Sequence, residues 1–285
     1  MFERFYAGFS AARDCWEILR QDKKLLLLPF LSGVACLLVL ASFALPLAVF
    51  RPHELQVLLG DDPGAAKTKP WVWILLFAFY FCNYFVIYFF NAALVHCALF
   101  RFRGVPVTVQ DGLHAAARRL PELLGWALVS ATVGVLLKWV ESANEKVGQI
   151  VSALLGTTWT IVTYFVVPVL IVERVGPFQA IKRSATILRD TWGEALGGRV
   201  GIGWFLLPFW LIGIGLVVLG FFLTASVPVL GVAVVALSVL YMIVLGLIGT
   251  ALETILLSGL YLYATQGEVP ETMDRATLER AFEAK

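Results

Sequence analysis

The chain has 285 residues, of which 60% are hydrophobic and 15% are charged, and its mean hydropathy is +0.84. A soluble domain fills its core with much less apolar surface, so this composition indicates an integral membrane protein. The formal net charge of +2 gives no basic field of the kind that attracts nucleic acid, which argues against that class of partner.

Six hydrophobic runs are long enough to cross a bilayer, since a helix needs about 20 apolar residues for the crossing. We therefore predict an all-α integral membrane protein with six transmembrane helices, in a single membrane domain of residues 1–285. The first run is not an ordinary cleaved signal peptide, because the apolar core of such a peptide is only about 7 to 15 residues long. The predicted spans are residues 25–50, 71–100, 124–140, 150–172, 200–225 and 229–264.

Lysine and arginine lie mainly on one side of this six-span topology. Of the 22 such residues, 17 fall before the first span or after the second, fourth and sixth spans, and four fall in the loops on the other side. Positive residues mark the cytoplasmic side of membrane proteins. Both termini are therefore predicted to be cytoplasmic.

Three cytoplasmic segments carry an apolar stripe with steps of three or four residues, which is typical of an amphipathic helix. One such segment precedes each odd-numbered span. The predicted repeat is thus an amphipathic helix followed by a helical hairpin, three times over, and the three units are expected to superpose about a pseudo-threefold axis. The stripes are Phe5, Phe9, Ala12, Trp16 and Leu19; Val109, Leu113, Ala116, Leu120 and Leu123; and Phe178, Ile181, Ala185, Leu188 and Trp192.

The predicted repeats cover residues 1–103, 104–173 and 174–264, and residues 265–285 form a cytoplasmic tail with a short helix at about 274–283. A glycine and a proline follow each even-numbered span, where the helix is predicted to end and the chain to restart. Pro177 has the position of a first-turn proline. The pairs are Gly104 and Pro106, Gly176 and Pro177, and Gly267 and Pro270.

Each amphipathic segment also carries basic residues at similar positions. Lys and Arg gain about 1 kcal/mol each near an anionic leaflet, so these residues are predicted to face lipid headgroups. The candidate headgroup residues are Arg13, Arg118, Arg119, Lys182 and Arg183.

The even-numbered spans also contain polar side chains. In one interpretation small and hydroxyl residues at steps of four form close helix contacts. In the other, the second, fourth and sixth spans surround a polar path. The aromatic residues at 71–90 are expected to pack against the glycine-rich fifth span, where Gly201, Gly203, Gly213 and Gly215 leave room for them. The candidates for a helix contact or a polar path are Asn83, Asn91, Thr160, Thr250, Thr254 and Glu253.

Glu253 is an isolated carboxylate in the sixth span. Counted from Val229 at about 1.5 Å per residue, it lies roughly 36 Å along the helix, at the inner edge of a hydrocarbon core of about 30 Å. Two roles stay open for this residue: a proton or ion site, or an interfacial partner for a cytoplasmic arginine.

The sequence contains no enzymatic motif of the metalloprotease, serine hydrolase or phosphate-binding kind. Its three histidines, His53, His96 and His114, are far apart, and its four cysteines occur singly, so neither a metal site nor a disulfide framework is indicated. We predict that the protein is not an enzyme and needs no cofactor.

Four stretches resemble a family of bacterial and archaeal multispan membrane proteins known only as a domain of unknown function. The likeness runs from about residue 80 to residue 285 and implies a protein of the bacterial cytoplasmic membrane, with no activity attached to it. The stretches are Tyr88-Phe-Phe-Asn-Ala-Ala-Leu, Tyr164-Phe-Val-Val-Pro-Val-Leu with Glu173, Ala180-Ile-Lys-Arg-Ser-Ala with Trp192-Gly-Glu, and Leu260-Tyr-Leu-Tyr-Ala-Thr-Gln-Gly-Glu-Val-Pro.

Two functions from different classes are compatible with these features. The first is a non-enzymatic membrane scaffold that interacts with membrane lipids and offers its spans to a second copy or to another membrane protein. The alternative is a small channel or transporter with a polar path between the second, fourth and sixth spans. Three parallel repeats are not the usual transporter arrangement, so we predict the scaffold.

Overall fold

The computed structural model describes residues 2–50, 70–143 and 147–267. These residues form α-helices joined by short turns, with no β-strand among them. Six of the helical segments are long and apolar enough to cross a membrane, which confirms the prediction of an all-α membrane protein. The predicted tail helix at 274–283 lies outside the described residues, as do the side chains of Phe5, Phe9 and Trp192.

The chain begins with α1 (Phe2–Gln21), a short 3-10 helix (Lys23–Leu26) and the first spanning helix, α2 (Leu27–Phe50). Each predicted span has its counterpart in a helix or in a pair of helices. The remaining helices are α3 (Pro70–Phe102), α4 (Val109–Ala117), α5 (Leu120–Ala143), α6 (Val147–Val162), α7 (Val166–Glu173), α8 (Pro177–Ser226) and α9 (Pro228–Gln266).

The second amphipathic segment is shorter than its stripe predicts. Helix α4 ends at Ala117, and the last two stripe residues, Leu120 and Leu123, already belong to the spanning helix α5. Pro121 explains the break, because its nitrogen carries no hydrogen and its ring would collide with the carbonyl of residue 117 in a continuous helix. The stripe therefore predicted one helix where the chain forms two.

The third amphipathic segment is not a separate helix. It continues into the fifth span as α8, a single helix of 50 residues that begins at Pro177, as the first-turn proline predicts. No proline occurs between Pro177 and Pro208, so nothing in this stretch removes a backbone hydrogen bond. Helix α9 likewise runs through Gly246 and Gly249 without an interruption.

The fourth span, predicted as continuous, is interrupted. Helix α6 ends at Val162 and α7 begins at Val166, with a turn at residues 163–165 between them. Pro168 is the cause, since its ring excludes the carbonyl of Tyr164 from a helical position.

Left-handed residues end the even-numbered spans. Gly104 follows α3 with φ of 68°, and Gly267 follows α9 with φ of 64°, where glycine avoids the steric cost that other residues carry. After α7, however, the left-handed residue is Arg174, with φ of 57°, and not the predicted Gly176.

Buried residues concentrate toward the C-terminal ends of the even-numbered spans. They occupy most of 92–99 in α3, 165–171 before and within α7, and 251–262 in α9. Many large apolar side chains elsewhere in α8 and α9, such as Phe222 and Val229, are exposed, as expected for helices that lipid surrounds. The pseudo-threefold arrangement of the repeats stays a prediction.

The chain divides into two compact units that are interleaved along the sequence. The first unit comprises Met1–Pro29, Cys97–Val109 and Arg189–Lys285. In it, α1 packs against α9, the Asp22 carboxylate pairs with Arg101 at 3.1 Å, and Arg103 donates to Gln266 Oε1 at 2.9 Å.

The second unit comprises Phe30–His96 and Gln110–Leu188. Its α5 and α6 form an antiparallel hairpin with extensive packing, in which the Ser152 hydroxyl donates to the carbonyl of Leu137 at 3.1 Å. The start of α8 reaches the same hairpin, because a Cβ atom at Gly125 of α5 would lie only 3.1 Å from the ring of Pro177.

Candidate functional site

The first unit contains an apolar groove of about 310 Å³. Leu206 and Leu245 are buried and form its floor, whereas Phe209 and Val244 are exposed at its rim. The hydroxyl of Tyr241 donates to the carbonyl of Phe209 at 3.2 Å, so this polar atom is already bonded. The complete lining is Trp16, Phe205, Leu206, Phe209, Tyr241, Val244, Leu245 and Ile248.

Three helices build this groove. Helix α1 contributes Trp16, whose ring centroid is 6.3 Å from that of Phe205 in α8, and α9 supplies the opposite wall. Gly249 of α9 allows the close approach of α8, because a Cβ atom there would lie 3.2 Å from Leu206. The groove is thus a gap between two spanning helices and the helix that precedes the first span.

Helix α1 presents two different faces beside the groove. Ala12, Cys15 and Leu19 are buried, while Arg13 and Arg20 are exposed. At about 100° per residue, Arg13 and Arg20 lie roughly 60° and 40° from Trp16, on the side away from the buried residues. Trp16 therefore lies at the boundary between the packed face and a basic face.

An aromatic ladder runs through the second unit. Along α3 the rings of Tyr80, Tyr84 and Tyr88 follow one another at 5.9 and 5.8 Å, and the ladder continues to Trp126 of α5 at 5.7 Å and Trp159 of α6 at 5.7 Å. Such spacings are those of favourable aromatic pairs, worth about 0.5–1.5 kcal/mol each beyond burial. The ladder holds α3, α5 and α6 together.

Small residues of α5 make room for the tyrosines. A Cβ atom at Gly134 would lie 3.2 Å from the Tyr80 ring and 3.3 Å from the Tyr84 hydroxyl. One turn earlier, Ser130 is buried and accepts a hydrogen bond from the Tyr88 hydroxyl at 3.0 Å. The glycine that makes room for these tyrosines therefore belongs to the third span. Gly213 of the fifth span faces Tyr241 and Met242 of the sixth span, and packing of the second-span aromatic residues on the other fifth-span glycines stays a prediction.

Two polar atoms on the same face of α5 lack a hydrogen-bond partner among the described residues. They are Oε2 of Glu122 and Nε1 of Trp126, four residues apart, and the Trp126 side chain is only 2% exposed. The other oxygen of Glu122 is 3.5 Å from Arg119. Buried polar groups in proteins are nearly always bonded, so these two atoms are exceptions in the part of the chain that the structure describes.

The interruption of the fourth span is closed by a side chain from α8. Ser184 is fully buried; its Oγ accepts a hydrogen bond from the N–H of Phe165 at 3.0 Å and donates one to the carbonyl of Val162 at 2.6 Å. Backbone groups freed by a helix break need such partners inside a membrane protein. Arg183, next in sequence, pairs with Glu173 at 2.9 Å and ties the end of α7 to α8.

The predicted polar residues of the spans bond mainly within their own helices. The hydroxyls of Thr160, Thr250 and Thr254 donate to the carbonyls four residues earlier, at 2.9, 3.1 and 2.9 Å, and the Asn83 amide donates to the carbonyl of Phe79 at 3.1 Å. Thr254 is buried, whereas Thr160 and Thr250 are exposed. These bonds are compatible with the helix-contact interpretation.

Asn91 and Glu253 lie at the edges of buried segments. Asn91 is half-buried directly before the buried residues of α3, and Glu253 is exposed although its neighbours at 251, 252 and 254 are buried. Each of the two makes a polar interaction in the structure. The role of Glu253 as an ion site or an interfacial partner stays a prediction.

The predicted headgroup residues divide into two groups. Arg13, Arg118 and Lys182 are exposed. Arg119 and Arg183 are engaged in the ion pairs with Glu122 and Glu173 described above. Surface ion pairs contribute only about 0–1 kcal/mol, so the pairs do not prevent these two arginines from also meeting lipid.

Within the three described ranges, no group of three or more His, Cys, Asp or Glu side chains is placed to hold a metal ion.

Sequence reasoning missed the groove, Ser184 and the unpaired atoms of Glu122 and Trp126. A sequence signal for Glu122 and Trp126 was present, because they begin a series at steps of four in the third span that continues with Ser130 and Gly134. Each member of this series is small or carries a polar side-chain atom. Ser184 carried no such signal, since its function depends on the break at residues 163–165. The groove depends on how three distant segments pack, which periodicity does not report.

Comparison with known proteins gives a family but no activity. None of the curated proteins and none of the solved structures matches the chain significantly. A profile described as a family of unknown function, DUF6159, matches residues 71–270, which is well over half of the 285 residues. This range contains the four stretches that carry the resemblance noted in the sequence. The chain therefore belongs to this family of unknown function, DUF6159.

Proposed function

We propose that the protein is a non-enzymatic, lipid-interacting scaffold of the bacterial cytoplasmic membrane, with both termini in the cytoplasm. The groove beside Trp16 is the observation that carries this proposal. It combines an apolar lining with a neighbouring basic helix face, which is the combination that a phospholipid requires of a binding surface. The exposed apolar faces of α8 and α9 are available to a second copy or to another membrane protein.

The basic residues support a lipid role in all three repeats. Arg13, Arg118 and Lys182 are exposed and come from the three predicted amphipathic segments in turn. Each long side chain can keep its stem on apolar surface while the charged end reaches a phosphate. Arg119 and Arg183 would contribute less, because each shares its charge with a glutamate.

The experiment is charge reversal at the three exposed positions. We expect the variant Arg13→Glu, Arg118→Glu, Lys182→Glu to retain several-fold less phosphatidylglycerol than the wild type after purification from mixed lipid. At high salt the two proteins should differ less in phosphatidylglycerol content, because salt screens the attraction between the basic side chains and the headgroups. Lys138→Glu is the control, because Lys138 is an exposed lysine at the other end of α5, in an ion pair with Glu141. Equal phosphatidylglycerol content in wild type and triple variant would overturn the proposal.

The alternative function, a small channel or transporter, is favoured by two features of the second unit. The interrupted fourth span and the unpaired buried atoms of Glu122 and Trp126 are features found where membrane proteins handle polar solutes. Proteoliposomes with an entrapped pH dye and a potassium gradient test it directly. Proton or potassium flux that Trp126→Phe abolishes would favour transport over the scaffold.

A further inference from the structure

The groove has the size and chemistry of a site for one hydrocarbon chain. Its volume of about 310 Å³ is at the lower end of the range of roughly 300–1,000 Å³ for small-molecule sites. Only Tyr241 and Trp16 bring a polar side-chain atom to its lining, and the Tyr241 hydroxyl already donates to the carbonyl of Phe209. A ligand that fills it must therefore be apolar over the part that enters.

The position of Trp16 places this apolar site next to charge. Arg13 and Arg20 are seven positions apart, which is about 10 Å along the helix axis, and Trp16 lies between them in height, at the edge of the basic face. Tryptophan is favoured at the level of lipid headgroups, where its ring contacts chains and its edge is hydrated. Among the side chains of α1 that the structure describes, Glu17 is the exposed acidic one on this face, and Arg13 and Arg20 outnumber it.

The exposed rim of the groove provides a route by which an acyl chain can enter. Phe209 of α8 and Val244 of α9 are 45% and 46% exposed and lie on helices apolar enough to span a membrane, so we expect the outer side of the groove to face the hydrocarbon of the bilayer. An acyl chain can move from the bilayer into the groove without crossing water. Neither a water-soluble ligand nor free phosphate has this route.

We propose that the groove binds one acyl chain of an anionic phospholipid whose phosphate lies between Arg13 and Arg20. The inference rests on the proposed lipid function and gives it a site and a ligand class. The two arginines recognise the headgroup, and Trp16 marks the level at which the headgroup ends and the chain begins.

The test uses phosphatidylglycerol that carries a photoreactive diazirine on one acyl chain, with the full-length protein in detergent or in nanodiscs. After irradiation, peptide mass spectrometry locates the adducts. We expect adducts within residues 205–209 and 241–248. Phosphatidylcholine with the same diazirine chain is expected to give about fivefold fewer, because its headgroup has no net charge.

Two variants of α9 test occupation of the groove. Val244→Trp fills the mouth and is expected to reduce groove adducts at least fivefold. Val239→Trp is the matched control, because Val239 is 47% exposed on the same helix and does not line the groove. If Val244→Trp does not fold, Val244→Phe and Val239→Phe make the same comparison. Equal adduct yields in such a pair would overturn the proposal.

The double variant Arg13→Glu, Arg20→Glu tests the headgroup. Groove adducts of phosphatidylglycerol are expected to fall to the phosphatidylcholine level, and 50-fold molar excess of inorganic phosphate should not compete. If the yield of groove adducts did not change in the double variant, or if free phosphate reduced it, the assignment of the phosphate to Arg13 and Arg20 would be contradicted. A dimer that Val244→Trp dissociates would identify a second copy as the occupant and would also overturn it.

These outcomes are distinguishable from failure of the proposed function. Loss of total phosphatidylglycerol in the Arg13, Arg118 and Lys182 variant without groove adducts would leave a lipid-interacting scaffold and remove only this site. Unchanged total lipid in that variant would remove the function itself.

Discussion

Ser184 shows how much a single hydroxyl can stabilise inside this protein. It accepts a hydrogen bond from the N–H of Phe165 and donates one to the carbonyl of Val162, so it satisfies both sides of the break in the fourth span. Each backbone group left unpaired in a buried position costs about 1–3 kcal/mol. The break that Pro168 imposes is therefore tolerable only with this side chain in place.

We expect Ser184→Ala to lower the free energy of unfolding by about 2–4 kcal/mol, because two buried backbone groups lose their partner. Thermal unfolding in detergent measures the change as a lower Tm. Thr186→Ala is the control on the same helix, since the exposed Thr186 hydroxyl bonds only to the carbonyl of Lys182. A Tm change in Ser184→Ala no larger than that of the control would contradict the role assigned to the hydroxyl.

Cys15 reports whether α1 is packed on the protein. Burial raises the pKa of the Cys15 thiol, and the charge of Asp14 raises it further, so the thiol stays protonated at and above neutral pH. The thiolate is the reactive form. We expect N-ethylmaleimide to leave Cys15 unmodified from pH 7 to pH 9, as mapped by peptide mass spectrometry.

The matched position is Glu17, two residues later and exposed. In Glu17→Cys the new thiol should react readily, and faster as the pH rises toward the ordinary cysteine pKa of about 8.5. Equal rates at positions 15 and 17 would show that α1 does not keep its packed face against the protein.

At the scale of the helix, the contact of α3 with α5 depends on the absence of a side chain at Gly134. The side chains of Tyr80 and Tyr84 lie 3.2 and 3.3 Å from where a Cβ atom would be, which is closer than an ordinary van der Waals contact. We expect Gly134→Val to cost about 1–3 kcal/mol through overpacking of Tyr80 and Tyr84. Gly203→Val, at a site with nothing nearby, is the control, and Tm values in detergent compare the two. If Gly203→Val had a lower Tm than Gly134→Val, packing against the tyrosines would not be what restricts position 134 to glycine.

The positions of the spanning helices could be predicted from sequence because hydrophobic length alone determines them, as for residues 71–100 and α3. Two helix boundaries could also have been predicted from prolines in the sequence, since Pro121 ends α4 and Pro168 divides the fourth span. The junction inside α8 was less accessible, because an apolar stripe looks the same whether its helix stops or continues. The groove and the bond network of Ser184 required tertiary packing, which no periodicity contains.

At the scale of the whole molecule, the charge distribution predicts the orientation in the membrane. With 17 of 22 Lys and Arg residues on one side, both termini should be cytoplasmic. A phosphatase reporter fused after Lys285 should be inactive, and one inserted at residues 60–65, between the first two spans, should be active. The opposite pattern would refute the topology and would place the groove and the basic face of α1 at the outer leaflet.

Helix α8 joins an amphipathic segment and a span in one continuous element. Its 50 residues correspond to about 75 Å of helix, more than twice the hydrocarbon thickness of about 30 Å, and the part before residue 201 accounts for roughly 36 Å. The first turn is the costly step in forming a helix, and each later residue adds one hydrogen bond. One nucleation event therefore serves both the amphipathic segment and the fifth span, where two separate helices would need two.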